Sequence, residues 1–133
     1  MGRPAAKKGD VMFAIDIHIV MIPTPFGTIP VPLPNPFKGK IEKAVSPNVK
    51  IMGKPAVTQL STAQNKPPHI PIGGPFQKPP SNRGFVFLGS FTVRINMKMA
   101  GRSMDLCMTC NDPVDLPIGF VQVKGKSTVK IGG

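Results

Sequence analysis

The chain contains two histidines and two cysteines: His18, His69, Cys107 and Cys110. Imidazoles and thiolates bind metals, exchange disulfides or relay protons. Cys107 and Cys110 lie in Leu-Cys-Met-Thr-Cys-Asn, a Cys-x2-Cys spacing shared by zinc knuckles and thiol–disulfide oxidoreductases. The redox use needs a helix N-terminus to lower the thiol pKa. Asn111, Asp112 and Pro113 follow here instead, which is turn chemistry. Together with the two imidazoles, the cysteines make a set of two nitrogens and two sulfurs. That is the closed tetrahedral complement of structural zinc, with no position left for a water, so it stabilises rather than catalyses. On these residues alone, a cysteine pair that binds nothing and histidines satisfied within the fold remain open alternatives.

Little else points to catalysis. Asp10, Asp16, Asp105, Asp112 and Asp115 form no paired-carboxylate pattern, and no Cys-His or Ser-His dyad is legible. The glycines at 73–74 and 132–133 lack the strand–loop–helix context of a phosphate cradle. Methionines such as Met97, Met99, Met104 and Met108 read as adaptable core filler. A non-enzyme is expected.

Bringing four distant ligands together requires a scaffold, and an internal repeat supplies one. Val-Lys-Ile occurs at 49–51 and 129–131, and Val-Arg-Ile at 93–95. Val49 stands seven residues before Ala56, and Val93 seven before Ala100. The start of the chain, Gly2-Arg3-Pro4-Ala5, matches only the back half of the unit, Gly53-Lys54-Pro55-Ala56. The end, Val129-Lys130-Ile131, matches only the front half. Three circularly permuted units are expected, with the two ends meeting in space. His18 lies thirteen residues after Ala5 and His69 thirteen after Ala56, while the third unit offers Cys107 and Cys110 after Ala100. Equivalent positions around a pseudo-threefold axis would converge.

Composition sets the class. With 133 residues the chain is one domain, 1–133. Its 17 Pro and 14 Gly leave few windows for a helix, while 41% hydrophobic residues argue against disorder. Apolar residues alternate in 11–21, with Val11, Phe13, Ile15, Ile17, Ile19 and Met21 on one side and Asp16 and His18 on the other, which predicts a strand. Shorter strands are expected at 48–52, 84–88, 91–97, 120–124 and 127–131. The proline-studded stretches 23–36 and 67–80 should be edge-like, extended or looped, because proline cannot donate to a ladder. The expected fold is all-β, a small cone of short strands and long loops. So thin a core calls for a metal staple. Residues 11–22 follow a basic start, but Asp16 and His18 interrupt them and no cleavage site follows, so no signal peptide is expected.

Gly2-Arg3-Pro4-Ala5-Ala6-Lys7-Lys8-Gly9-Asp10 resembles the Pro-Ala-Ala-Arg repeat of the PAAR family, with Lys7 in place of Arg. Residues 49–57 and 92–105 resemble second and third copies. The resemblance implies a cone of pseudo-threefold symmetry with zinc near its apex, seated on the trimeric β-helical spike of a contractile injection system such as type VI secretion or a phage-like tail. The commoner family site has three His and one Cys; here Cys110 stands for the missing imidazole. The partners expected are a spike trimer, one chain per trimer, effector cargo and, transiently, a target membrane. Assembly is expected in the cytoplasm, with the protein ending at the particle's tip. The rival class is a zinc-ribbon-like nucleic-acid binder, prompted by the net charge of +11. It lacks stacking platforms, since the chain has no Trp and no Tyr, so no nucleic acid is expected.

Overall fold

Proline spacing, more than proline content, decides where the long strands form. A computed structural model describes residues 2–125 and 127–133. In chain order its strands are β1 (Arg3–Pro4), β2 (Val11–Thr24), β3 (Gly27–Lys43), β4 (Lys50–Ile51), β5 (Lys54–Pro55) and β6 (Thr62–Gln64). They continue as β7 (Arg83–Val86), β8 (Arg94–Ile95), β9 (Lys98–Met99), β10 (Leu106–Thr109), β11 (Leu116–Gln122) and β12 (Lys130–Ile131). Among the described residues there is no helix, so the fold is all-β.

The expected strand at 11–21 runs further, through Thr24, and pairs along its whole length with β3 across a two-residue turn at Pro25 and Phe26. Residues 23–36 therefore lie largely inside a long hairpin. Antiparallel strands alternate between residues whose N–H meets the partner and residues whose N–H points away. Pro30, Pro32, Pro34 and Pro36 face Met21, Ile19, Ile17 and Ile15. On the β2 side of these pairs, the N–H groups of Ile17, Ile19 and Met21 bond away from the hairpin. The prolines thus occupy outward positions and interrupt no ladder bond, as an edge strand permits.

The alternation in β2 faces opposite to what hydrophobicity alone suggests. Met12, Ala14, Asp16, His18 and Val20 are buried, while Ile15 is 48% exposed.

Six strands close a barrel in the order β10, β11, β2, β3, β6, β7. Met12, Ala14, Phe37, Ile41, Ala63, Val86, Cys107 and Val121 belong to its core. The long hairpin joins its neighbours near one end: β11 pairs with Val11 to Phe13, and β6 with Ile41 and Lys43. Beyond that, the hairpin extends as an arm, bridged at Val20 to Phe76 of the segment before β7.

The remaining strands form three two-residue ladders, β1 with β12, β4 with β5, and β8 with β9. The first joins Arg3 to Ile131, so the two ends of the chain meet. Next to the ladders the chain closes a ring. The Ala6 N–H donates to Gly101 O, Gly101 N–H to Val57 O, and Val57 N–H to Ala6 O, at 3.0, 2.8 and 3.0 Å. Ile51, Ile95 and Ile131 pack with Ala5, Ala56 and Ala100 in a second apolar cluster. Each ring segment leads into a similar turn. The side chains of Asp10, Ser61 and Asp105 accept from the N–H groups of Lys7, Thr58 and Arg102. Gly9, Leu60 and Met104 take positive φ there, a conformation free of strain only for Gly9.

Candidate metal centre

The outward N–H groups of β2 gather the site. Since they have no strand beside them, each needs an acceptor from elsewhere. The Met21 N–H donates to Pro75 O at 2.8 Å, while Gln77 N–H donates to Ile19 O at 2.8 Å, so segment 65–82 is tied to the arm. The Ile17 N–H donates to Asn111 Oδ1 at 2.6 Å and Ile19 N–H to Asp112 Oδ2 at 2.9 Å. The segment following β10 is thereby tied down as well. The first segment carries His69 and the second carries Cys110. Both arrive against the inner face of β2, where Asp16 and His18 project side by side, two residues apart.

Asp16, His18, His69 and Cys110 are all buried, and their ligand atoms lie within 4.8 Å of one another. Asp16 Oδ2 accepts from His69 Nε2 at 2.9 Å and from the Cys110 thiol at 3.4 Å, while the Thr109 hydroxyl donates to Oδ1. The rings of His18 and His69 have centroids 4.9 Å apart, with Phe76 edge-on to His18.

His18 distinguishes this group from an ordinary polar cluster. It is 1% exposed, and neither of its ring nitrogens has a hydrogen-bond partner. Its Nδ1 approaches Asp112 Oδ2 at 3.5 Å, an electrostatic contact without hydrogen-bond geometry. An unpaired buried polar group costs about 1–3 kcal/mol. Burial, reinforced by His69, lowers the pKa of His18 and favours the neutral ring that carries a free lone pair. A metal ion would supply the missing partner, and the group can hold one. The Cys110 thiol is pushed up to about 12, first by burial and then by Asp16. Loading an ion would displace its proton.

Three of the four ligands read from the sequence meet here, His18, His69 and Cys110; Cys107 does not, and Asp16 stands in the fourth place. A zinc knuckle needs a turn between its cysteines, but β10 extends the chain from Leu106 through Thr109. Cys107 therefore sits across from Val86 and Gly119 in the barrel core, its thiol pushed up to about 12 by burial. Asp16 was visible in the sequence as the other polar residue of an apolar strand, two positions from His18. Weighed only as a member of a carboxylate pair, it offered no chemistry.

Hydrogen bonds around His69 decide which ring nitrogen carries the proton. The Lys38 N–H donates to Asn65 Oδ1 at 2.9 Å, which turns the Asn65 amide nitrogen toward His69 Nδ1 at 3.1 Å. The ring proton then belongs on Nε2, facing Asp16. A metal at Nε2 requires that proton on Nδ1, where an acceptor holds it. Asn65→Asp can accept from both Lys38 N–H and His69 Nδ1–H. It is expected to slow metal loss to a chelator by roughly tenfold or more. An unchanged rate would show that His69 does not use Nε2.

No family model matches this chain, and neither a curated protein nor a solved structure matches it.

Proposed function

We propose that the protein is a structural spike-tip component, stapled by zinc, that caps a trimeric β-helical spike of a contractile injection system. The observation that carries this reading is the ring of three N–H···O bonds among Ala6, Val57 and Gly101, bordered by three matching ladders. An asymmetric monomer cannot meet three identical subunits equally, whereas one chain with three like edges can. Exposure agrees. Val49, Val93 and Val129, at equivalent places in the three units, are 36%, 36% and 38% exposed. We assign these valines to the three spike subunits.

Zinc suits the donor set of two imidazoles, a thiolate and a carboxylate. Tetrahedral zinc bonds place neighbouring donors about 3.3–3.8 Å apart, a range bracketed by the present separations, which run from 2.9 Å between His69 Nε2 and Asp16 Oδ2 to at most 4.8 Å. When bound, the ion would cross-link β2, segment 65–82 and the segment after β10, stiffening the arm at the point where load would pass. His18, His69, Cys110 and Asp16 would supply the ligands, and Phe76 and Phe37, packed on the two imidazoles, would help to exclude water. In this role the protein is not an enzyme.

The test is capture. Co-expressed with a trimeric spike, the chain should co-purify at one copy per trimer. The triple variant Val49→Asp, Val93→Asp, Val129→Asp should lose capture at least tenfold while keeping its metal. Retained capture would remove the ladders from the interface and, with them, this reading.

A second reading has one observation in its favour. Lys40, Lys43, Lys66 and Arg83 line a shallow groove beside β3, relieved only by Glu42. A nucleic-acid binder would use such a groove with steep salt dependence, and a gel shift at two salt concentrations separates the two readings.

A further inference from the structure

The arm carries a surface that neither the metal centre nor the ladders use. Phe26, in its turn, is 100% exposed, and Ile29 beside it is 48% exposed. Along the outward face of β3 the residues read Pro30, Pro32, Pro34, Pro36 and then Lys38 and Lys40. All six are exposed. From Ile17 to Phe37 there is no Asp, Glu, Lys or Arg. The hairpin itself is therefore uncharged from its tip to a boundary at Lys38, where lysines begin, while Lys78, Asp112 and Asp115 of the covering segments gather beside His18 partway along it. Near that boundary, Lys66 and Lys124 join Lys38 and Lys40 around one groove, with Glu42 the one acid in its lining.

The backbone matches this division. An open strand edge normally presents unpaired N–H groups, which are costly in hydrocarbon and invite pairing with another strand in water. The prolines of β3 have no N–H to present. On the other edge, the N–H groups of Ile17, Ile19 and Met21 are already bonded. A partner protein adding a strand would find few donors on either side. From Gly27 to Lys38 the strand runs about 35 Å at roughly 3.3 Å per residue, against a bilayer hydrocarbon core of about 30 Å.

We infer that the arm is a lipid-inserting wedge whose partner is an anionic bilayer, Phe26 leading into the acyl region and the Lys38–Lys40 row meeting the headgroups. This deepens the spike-tip reading and rests on it for the direction in which the arm arrives. The affinity for lipid is a property of the arm's own surface.

The test uses the metal-loaded full chain. Because the protein has no Trp and no Tyr, Phe26→Trp introduces a single emitter at a fully exposed position. With vesicles of phosphatidylcholine and phosphatidylglycerol, its emission should shift to shorter wavelength and be quenched by lipids brominated on the acyl chains. Phe26→Ser should weaken co-sedimentation several-fold. Lys38→Gln with Lys40→Gln should remove the preference for these vesicles over pure phosphatidylcholine. Binding without a spectral shift, abolished by salt, would mean adhesion through lysines alone and would overturn the wedge. So would the absence of binding to either vesicle. Phe26→Ser should leave spike capture intact, so failure with vesicles and failure of capture are separate results.

Discussion

His18→Ala and Cys110→Ala are each expected to empty the metal centre and to lower the melting temperature by on the order of 10 °C. Cys107→Ala should keep the full metal content. The contrast follows from placement. His18 and Cys110 belong to the buried group of four, whereas Cys107 packs in the barrel core. Structural zinc contributes about 10–16 kcal/mol of apparent binding free energy in small peptides that fold only around it. Here a closed barrel already supplies a core, so a smaller share, about 3 kcal/mol or more, is expected. Cys107→Ala leaves only a small void and should cost about 1 kcal/mol. Metal analysis and thermal melts on the three variants check this. Loss of metal from Cys107→Ala with retention by Cys110→Ala would invert the assignment.

Gly74→Ala is the second large effect. A Cβ at Gly74 would lie 1.9 Å from the carbonyl oxygen of Met21 and 2.7 Å from its carbon. Both are backbone atoms, so no side chain can swing aside. The segment must lift from the arm, breaking the bond between Met21 N–H and Pro75 O, and His69 travels with it. We expect a loss of about 2–4 kcal/mol together with weakened metal binding, although residue 74 touches no ligand. Gly132→Ala is the control. Nothing lies within 4 Å of its added Cβ, and its effect should stay within about 0.5 kcal/mol. Equal melting temperatures and equal metal content for the two variants would mean that segment 65–82 is not held by this contact.

What the sequence disclosed follows the strength of its periodic signals. The run at 11–21 marks a strand because alternation is a local property, and the repeated Val-x-Ile units mark ladders because each ladder bond pairs nearby residues or the two ends. The inner face of β2 was not legible. Asp16 shows no sign of burial beside His18 until two distant segments cover them both. Which side of a strand is buried depends on those segments, and local hydrophobicity does not encode them. The prolines of 23–36 misled for a related reason. The alternate spacing of Pro30 to Pro36 is compatible with an edge strand, yet only the register against β2 reveals that these four face outward. Cys107 and Cys110 were grouped because Cys-x2-Cys commonly turns. Leu106 through Thr109 extend instead, since they pair with both β7 and β11.

The ring of Ala6, Val57 and Gly101 has a consequence for how the three units can diverge. A Cβ on Gly101 would come within 2.8 Å of Val57 Cγ1, so the bulk of one member is accommodated by the smallness of its neighbour. The three positions share a single allotment of space, and a change at one is acceptable only alongside a compensating change at another. Substitutions here should be strongly non-additive. The units are consequently unequal thirds, and a copy of either neighbour placed at Gly101 would press its side chain into Val57.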